Sequence, residues 1–252
     1  MLKRLYLSTI DPRAGDLARR YDFGVEIASF CTAQNMDEYL PETEEELKAT
    51  LSGISRRVLH GPFNELFPCA IDPKARALAA ERYRQAIALA ERYHAEKVVI
   101  HGGFIPWVYF PEWYEDQSIG FWREFLPEIP TGMTVCLENV LEPSPGMLLN
   151  VVRAVNDQRL RLCLDVGHAY AYSEISTVEW LEESAPFLSH LHIHNNDGTG
   201  DTHSQLWEGS IPIRQLLDRA WEICPAVTAT LELPECEPAI CWLLEEETWN
   251  RN

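Results

Sequence analysis

A chain of 252 residues, 46% of them apolar and 24% charged, has the composition of an ordinary globular protein and the length for one large core. Its 39 acidic residues against 21 basic ones give a net charge of −18 with no Lys/Arg cluster, which argues against nucleic acid held by phosphate neutralisation. No apolar run approaches the ~20 residues of a membrane helix, the run after Lys3 and Arg4 is too short for a signal peptide, and the seven cysteines lack any C-x-x-C spacing, so reduced core thiols, no membrane and a cytoplasmic location are expected.

The chain then alternates β-type and helical segments. Leu5-Tyr6-Leu7-Ser8 precedes a helix starting near Pro12, and Gly24-Val25-Glu26-Ile27-Ala28 precedes an acidic helix from about Glu42 to Leu51. Arg57-Val58-Leu59-His60 leads through Gly61-Pro62-Phe63 to the clearest helix, which Asp72 caps, Pro73 opens, and Ala79, Tyr83, Ala86, Ile87 and Ala90 carry at helical spacing. Lys97-Val98-Val99-Ile100-His101 ends in Gly102-Gly103 and a long aromatic loop holding Trp107, Tyr109, Phe110, Trp113 and Tyr114. Further strands fall at Met133 to Glu138, Arg161 to Asp165, around His190 to His194, and at Ala226 to Glu232, with helices near 115–126, 145–155, 177–185, 211–222 and 236–247. Eight βα units in 252 residues, about 31 residues each, predict a single (β/α)8 TIM barrel spanning 1–252. A doubly wound open sheet is the rival, but no G-x-G-x-x-G or G-x-x-x-x-G-K-[ST] follows any strand.

Ionisable residues fall at regular places in this pattern. His60, His101, Glu138, Asp165, His192 and Glu232 each stand at or near the C-terminal end of a strand, behind an apolar run, and in a barrel those ends converge on one mouth. His190, His192 and His194 share one strand face because side chains alternate with period 2, and the run leads straight to Asp201-Thr202-His203. Buried carboxylates and imidazoles left unpaired cost several kcal/mol, and a shared cation removes that cost. Imidazole with carboxylate suits zinc, manganese, iron or cobalt rather than calcium. Glu26 is expected to face the interior and pair with a basic core residue. The Trp107 to Tyr114 loop reads as half lid and half plug, and Trp107 and His194 are expected at a substrate pocket.

The fragments Leu59-His60-Gly61-Pro62-Phe63, Ile100-His101-Gly102-Gly103, Leu137-Glu138-Asn139, Leu164-Asp165-Val166-Gly167-His168-Ala169, His192-Ile193-His194-Asn195-Asn196-Asp197-Gly198 and Asp201-Thr202-His203 through Gly209 together resemble the xylose isomerase-like TIM barrels. That group includes sugar-phosphate isomerases and epimerases and the AP endonuclease family 2. Resemblance to its isomerases implies one divalent ion, zinc or manganese, held by Glu138, Asp165, His192 and Glu232, with Glu138 and Glu232 as the acid and base. Resemblance to its endonucleases implies three zinc ions on His60, His101, Glu138, Asp165, His168, His192, Asp201, His203 and Glu232. The expectation is therefore an isomerase or epimerase of a small sugar or sugar phosphate with one to three ions. The alternatives are an endonuclease IV-like zinc phosphoesterase and a non-catalytic metal-bound barrel.

Overall fold

The computed structural model describes the backbone of residues 2–249 and the side chains of residues 3–245. Its strands are β1 Leu5–Ser8, β2 Gly24–Ile27, β3 Arg57–His60, β4 Lys97–His101, β5 Thr134–Glu138, β6 Leu160–Asp165, β7 Leu188–Ile193 and β8 Thr228–Leu231. They pair in sequence order, all parallel, and β8 closes on β1. The architecture is the expected (β/α)8 barrel.

Helices clothe the outside: α1 Ala14–Tyr21, α2 Ala33–Asp37, α3 Leu40–Leu51, α4 Pro73–Arg92, α5 Pro111–Phe125, α6 Gly146–Val155, α7 Val166–Tyr172, α8 Thr177–Ser184, α9 Ile213–Ile223 and α10 Cys236–Trp249. As its sequence suggests, α4 starts on an Asp72 cap that accepts from the Lys74 amide at 2.7 Å, and it buries Ala79, Tyr83, Ala86, Ile87 and Ala90. Two helices have no counterpart in the sequence pattern. The short α2 is capped by Thr32, and α7 begins directly from the last residue of β6. Among the described residues no helix is long and apolar enough to cross a membrane. All seven cysteines are free and five are buried; Cys31 is half-buried and Cys241 exposed, so those two depart from the core expectation.

Strand periodicity divides the residues between two cores. One alternate set, including Leu7, Ile27, Leu59, Ile100, Leu137, Leu164 and Leu231, packs outward beneath the helices. The other set points inward, where Tyr6, Val58, Val99, Cys136 and Cys163 form a separate apolar layer. Two residues further along those strands lie His60, His101, Glu138 and Asp165, so the same period that builds the layer presents these four side chains at the mouth.

A candidate metal centre at the barrel mouth

Glu138, at the end of β5, lies at the middle of the mouth and is buried. Its Oε1 lies 3.1 Å from His192 Nδ1, and its Oε2 lies 3.3 Å from His60 Nε2 and 3.5 Å from His101 Nε2. Glu232 Oε2 approaches the same His192 nitrogen at 3.3 Å and Asp165 Oδ2 approaches it at 3.9 Å. One donor atom from each of Glu138, Asp165, His192 and Glu232 falls within 4.8 Å of the others, and His60, His101 and Glu138 form a second such group. On the β7–α9 connection, Asp201 Oδ2 lies 3.2 Å from His168 Nε2 and 3.1 Å from His203 Nε2.

Local structure explains how these side chains are held. Asp165 caps α7 by accepting from the His168 amide at 2.7 Å, which sets both residues on one turn. Asn139 continues the β5–β6 ladder with its side chain, donating to the Asp165 carbonyl at 3.0 Å and accepting from the Asp165 amide at 2.9 Å. Asn195 anchors the β7–α9 connection by donating to the carbonyls of Leu206 and Ile211. Two glycines allow this packing. A Cβ on Gly167 would stand 1.9 Å from His194 Cε1, and one on Gly209 would stand 2.1 Å from Asn195 Oδ1. His203 itself is held in the left-handed region at φ 46°, a conformation that costs a non-glycine residue about 1 kcal/mol or more.

The charges are strongly interdependent. Burial alone would raise the Glu138 carboxyl, but the imidazoles of His192 and His101 reverse this and hold it well below the usual carboxylate range. Asp165 is likewise pushed up by burial, yet drawn down to about 2 by His168 and His194. Burial drives His101 down to about 3, despite the nearby Glu138. For His203, burial is outweighed by the hydrogen bond to Asp201, and its pKa rises to about 9. Imidazolium protons thus supply the positive charge that the carboxylates require. Even so, Glu138 Oε2 and Asp201 Oδ1 are buried without a hydrogen-bond partner. Two orphaned carboxylate oxygens amid imidazole nitrogens fit a divalent cation, which satisfies anionic oxygens and neutral nitrogens together.

A cavity of about 410 Å³ opens above this cluster, lined by His60, His101, Glu138, His168, Asp201, His203 and Glu232, with Ile10, Ala28, Cys31 and Phe63 beside them. Among the described residues no lysine or arginine lines it. Of the residues expected at the site, Glu138, Asp165, His192, Glu232, His60, His101, His168, Asp201 and His203 all converge here. Two expectations are corrected. Trp107 does not reach the cavity: it sits in a left-handed turn at φ 62° and is fully exposed, and Phe63, stacked on His101 at 4.4 Å, supplies the aromatic wall instead. His194 is fully buried outside the cavity lining, 3.1 Å from Asp165 and stacked 3.9 Å from His203, so it braces the other groups. Glu26 meets its expectation of a basic partner, since it pairs with His190 and His192. Nothing in the sequence pattern marks Glu142. It is buried beside Gly102 with Oε1 unpartnered, and burial raises it to about 7.

An eight-stranded parallel barrel with imidazoles and carboxylates gathered at the carboxyl ends of its strands defines a TIM barrel with a candidate metal centre. The chain belongs to the xylose isomerase-like TIM barrel family, whose sequence model matches residues 17–239. It is 32% identical over 177 residues to the uncharacterised protein MJ1311 of Methanocaldococcus jannaschii, covering 66% of this chain and 60% of that one. It is also 30% identical over 114 residues to fructoselysine 3-epimerase of Escherichia coli O157:H7, covering 39% of this chain and 41% of the enzyme. The matched segments therefore span about three fifths of the archaeal relative and less of the epimerase. Among solved structures, a D-tagatose 3-epimerase-like protein superposes with TM-score 0.76 at 23% identity over 96% of both chains. The TTHB071 protein of Thermus thermophilus, soaked with ZnCl2, superposes with TM-score 0.69 at 24% identity over 97% of both. At these identities the two structures establish a shared fold.

Proposed function

We propose that this chain is a divalent-metal-dependent epimerase or isomerase of a small sugar, in which Glu138 and Glu232 move a proton at a carbon beside a carbonyl. The observation that carries the reading is the pair of carboxylates on one imidazole. Glu138 from β5 and Glu232 from just beyond β8 come within 3.1 and 3.3 Å of His192 Nδ1, with Asp165 completing the group. Glu138, Asp165, His192 and Glu232 would hold the ion, which when bound supplies the positive charge that a developing enediolate needs.

The chain's own residues do the rest. A carboxylate within reach of the C–H bond accepts the proton, and a second one arriving from a different strand end can return it. His60, His101, His168 and His203 line the cavity as donors or acceptors for sugar hydroxyls, and Phe63 offers an apolar face to the sugar's carbon side. A lining without lysine or arginine among the described residues favours an uncharged sugar over a sugar phosphate. The epimerase name carried by one partial relative and by a protein of the same fold agrees with this reading. The test is incubation of the zinc- or manganese-loaded protein with a panel of ketoses in D₂O. Deuterium should appear at a carbon next to the carbonyl of the substrate; turnover without exchange would rule the mechanism out.

A second reading rests on a separate observation. The donors fall into three groups, His60 with His101, the four around Glu138 and Glu232, and Asp201 with His203 and His194, which His168 also approaches, and Glu138 lies between the first two. Such a set could hold three ions, the number that the endonuclease resemblance implies. Phosphodiester hydrolysis profits from more than one metal, and hydrolysis of a simple phosphodiester by the zinc-loaded protein is its test.

A further inference from the structure

Below the mouth the barrel interior holds a second polar group that the proposed chemistry does not touch. Glu26 is buried on β2, with Oε1 3.0 Å from His192 Nε2 and Oε2 3.1 Å from His190 Nε2, and it accepts from the Thr230 hydroxyl. Glu26, His190 and His192 could be taken for another metal site, since their donor atoms lie within 4.8 Å of one another. The directions of the hydrogen bonds argue otherwise.

Lys97 has protons to give and no lone pair, and its Nζ lies 2.7 Å from the Ser189 carbonyl and 2.8 Å from Thr228 Oγ1. Thr228 therefore accepts from Lys97 and has its own proton left to donate. His190 Nδ1 lies 2.5 Å from that hydroxyl, against 3.4 Å for the Ser189 carbonyl, so the proton goes to the imidazole. With Nδ1 accepting, the His190 proton is on Nε2, where it is shared between Thr230 Oγ1 at 2.8 Å and Glu26 Oε2 at 3.1 Å. Glu26 then accepts from His190, from Thr230 and, through its other oxygen, from His192 Nε2. A cation placed here would have to displace protons that are already well placed. What this arrangement leaves over is His192 Nδ1, which faces Glu138 and Glu232; an ion bound there would take the place of a proton on that nitrogen.

We infer that Glu26 is the positioning residue of the metal centre: it holds the proton of His192 on Nε2 so that Nδ1 is presented to the mouth, and its charge strengthens that nitrogen as a ligand. The chain Lys97, Thr228, His190, Glu26 fixes the orientation from beneath, spanning β4, β8, β7 and β2. Carboxylates behind ligand histidines act in this way and are worth 10–100-fold in metal affinity. The inference rests on the proposal that His192 is a ligand.

The test is Zn²⁺ titration against a competing chelator, together with ¹⁵N-histidine spectra, on wild type and on Glu26→Gln. Wild type should show a His192 Nε2–H resonance shifted downfield by its bond to a carboxylate, both with and without zinc. In Glu26→Gln that proton should move upfield and zinc affinity should fall 10–100-fold, while Glu26→Asp, keeping the charge, should recover part of the affinity. Equal zinc affinity in Glu26→Gln and wild type, or a wild-type His192 proton on Nδ1 with zinc bound, would overturn the inference. Should Glu26→Gln fail to fold, the wild-type resonance decides. A wild type that binds no zinc would defeat the metal reading instead, and the Nε2–H resonance of the ion-free protein would still judge Glu26.

Discussion

Asp165 Oδ1 accepts from the His168 backbone amide at 2.7 Å while Oδ2 turns toward His192, so one carboxylate both starts helix α7 and faces the candidate metal. The two roles separate by substitution. Asn is as good a helix cap as Asp but a poor metal ligand, whereas Ala serves neither purpose. Asp165→Asn should lose divalent-ion affinity and keep α7; Asp165→Ala should be about 1 kcal/mol less stable again in urea unfolding. Equal stability of the two would show that the cap contributes nothing.

Glu232→Gln keeps the volume of the side chain and removes its charge and basicity. Turnover should slow by ~10²–10⁴, the cost of a lost general acid or base, with the circular dichroism spectrum unchanged. Deuterium exchange at the substrate carbon should fall in parallel; exchange at the wild-type rate would remove Glu232 from the proton transfer.

Removal of metal should lower the melting temperature, because Glu138, Asp165, Asp201 and Glu232 converge within one mouth. Zinc at about 100 times its Kd should return ~2.7 kcal/mol through binding to the folded state alone. Elemental analysis of the same samples counts the ions. One per chain, unaffected by Asp201→Asn, is the outcome for an isomerase, and two or three, reduced by that substitution, would favour the phosphoesterase.

Glu142 predicts a pH effect outside the candidate metal centre. Burial raises its pKa from 4.5 to about 7, with backbone amides only partly offsetting the shift. The unfolded chain therefore ionises at this position before the folded one does. The contribution of Glu142 to stability should decline as pH rises from 4.5 to about 7 and stay constant beyond. Glu142→Gln should abolish that decline and stabilise the protein by ~1–3 kcal/mol at about pH 8. Parallel stability profiles for mutant and wild type across that range would contradict it.

The residues that could be read from sequence are those whose position follows from period. Four residues of β3 and five of β4 ending in His60 and His101, and the β5 and β6 runs ending in Glu138 and Asp165, announce both their strand and the face they occupy. Neighbour identity is another matter. Alternation places Glu26 inside the barrel, but that His190 and His192 meet it depends on β7 lying across the interior, which is a property of closure. Helix α7 is not legible in the sequence because its cap, Asp165, reads as the end of a strand. The place of Trp107 is not legible either, because an aromatic residue in a loop carries no sign of whether it turns inward; it is exposed, on a left-handed backbone.

Alternation along the strands ties the mouth to the register of the whole barrel. Were β5 to slip by one residue against β4 and β6, Leu137 would stand at the mouth and Glu138 would be driven among the outer helices; β6 and β7 would exchange Asp165 and His192 for Leu164 and Leu191 in the same way. A misregistered barrel would therefore lose its apolar cladding and its ligand set at one stroke. An ion held by Glu138, Asp165, His192 and Glu232 as proposed would proofread strand pairing: it would stabilise a correctly closed chain and withhold that stabilisation from a collapsed near miss.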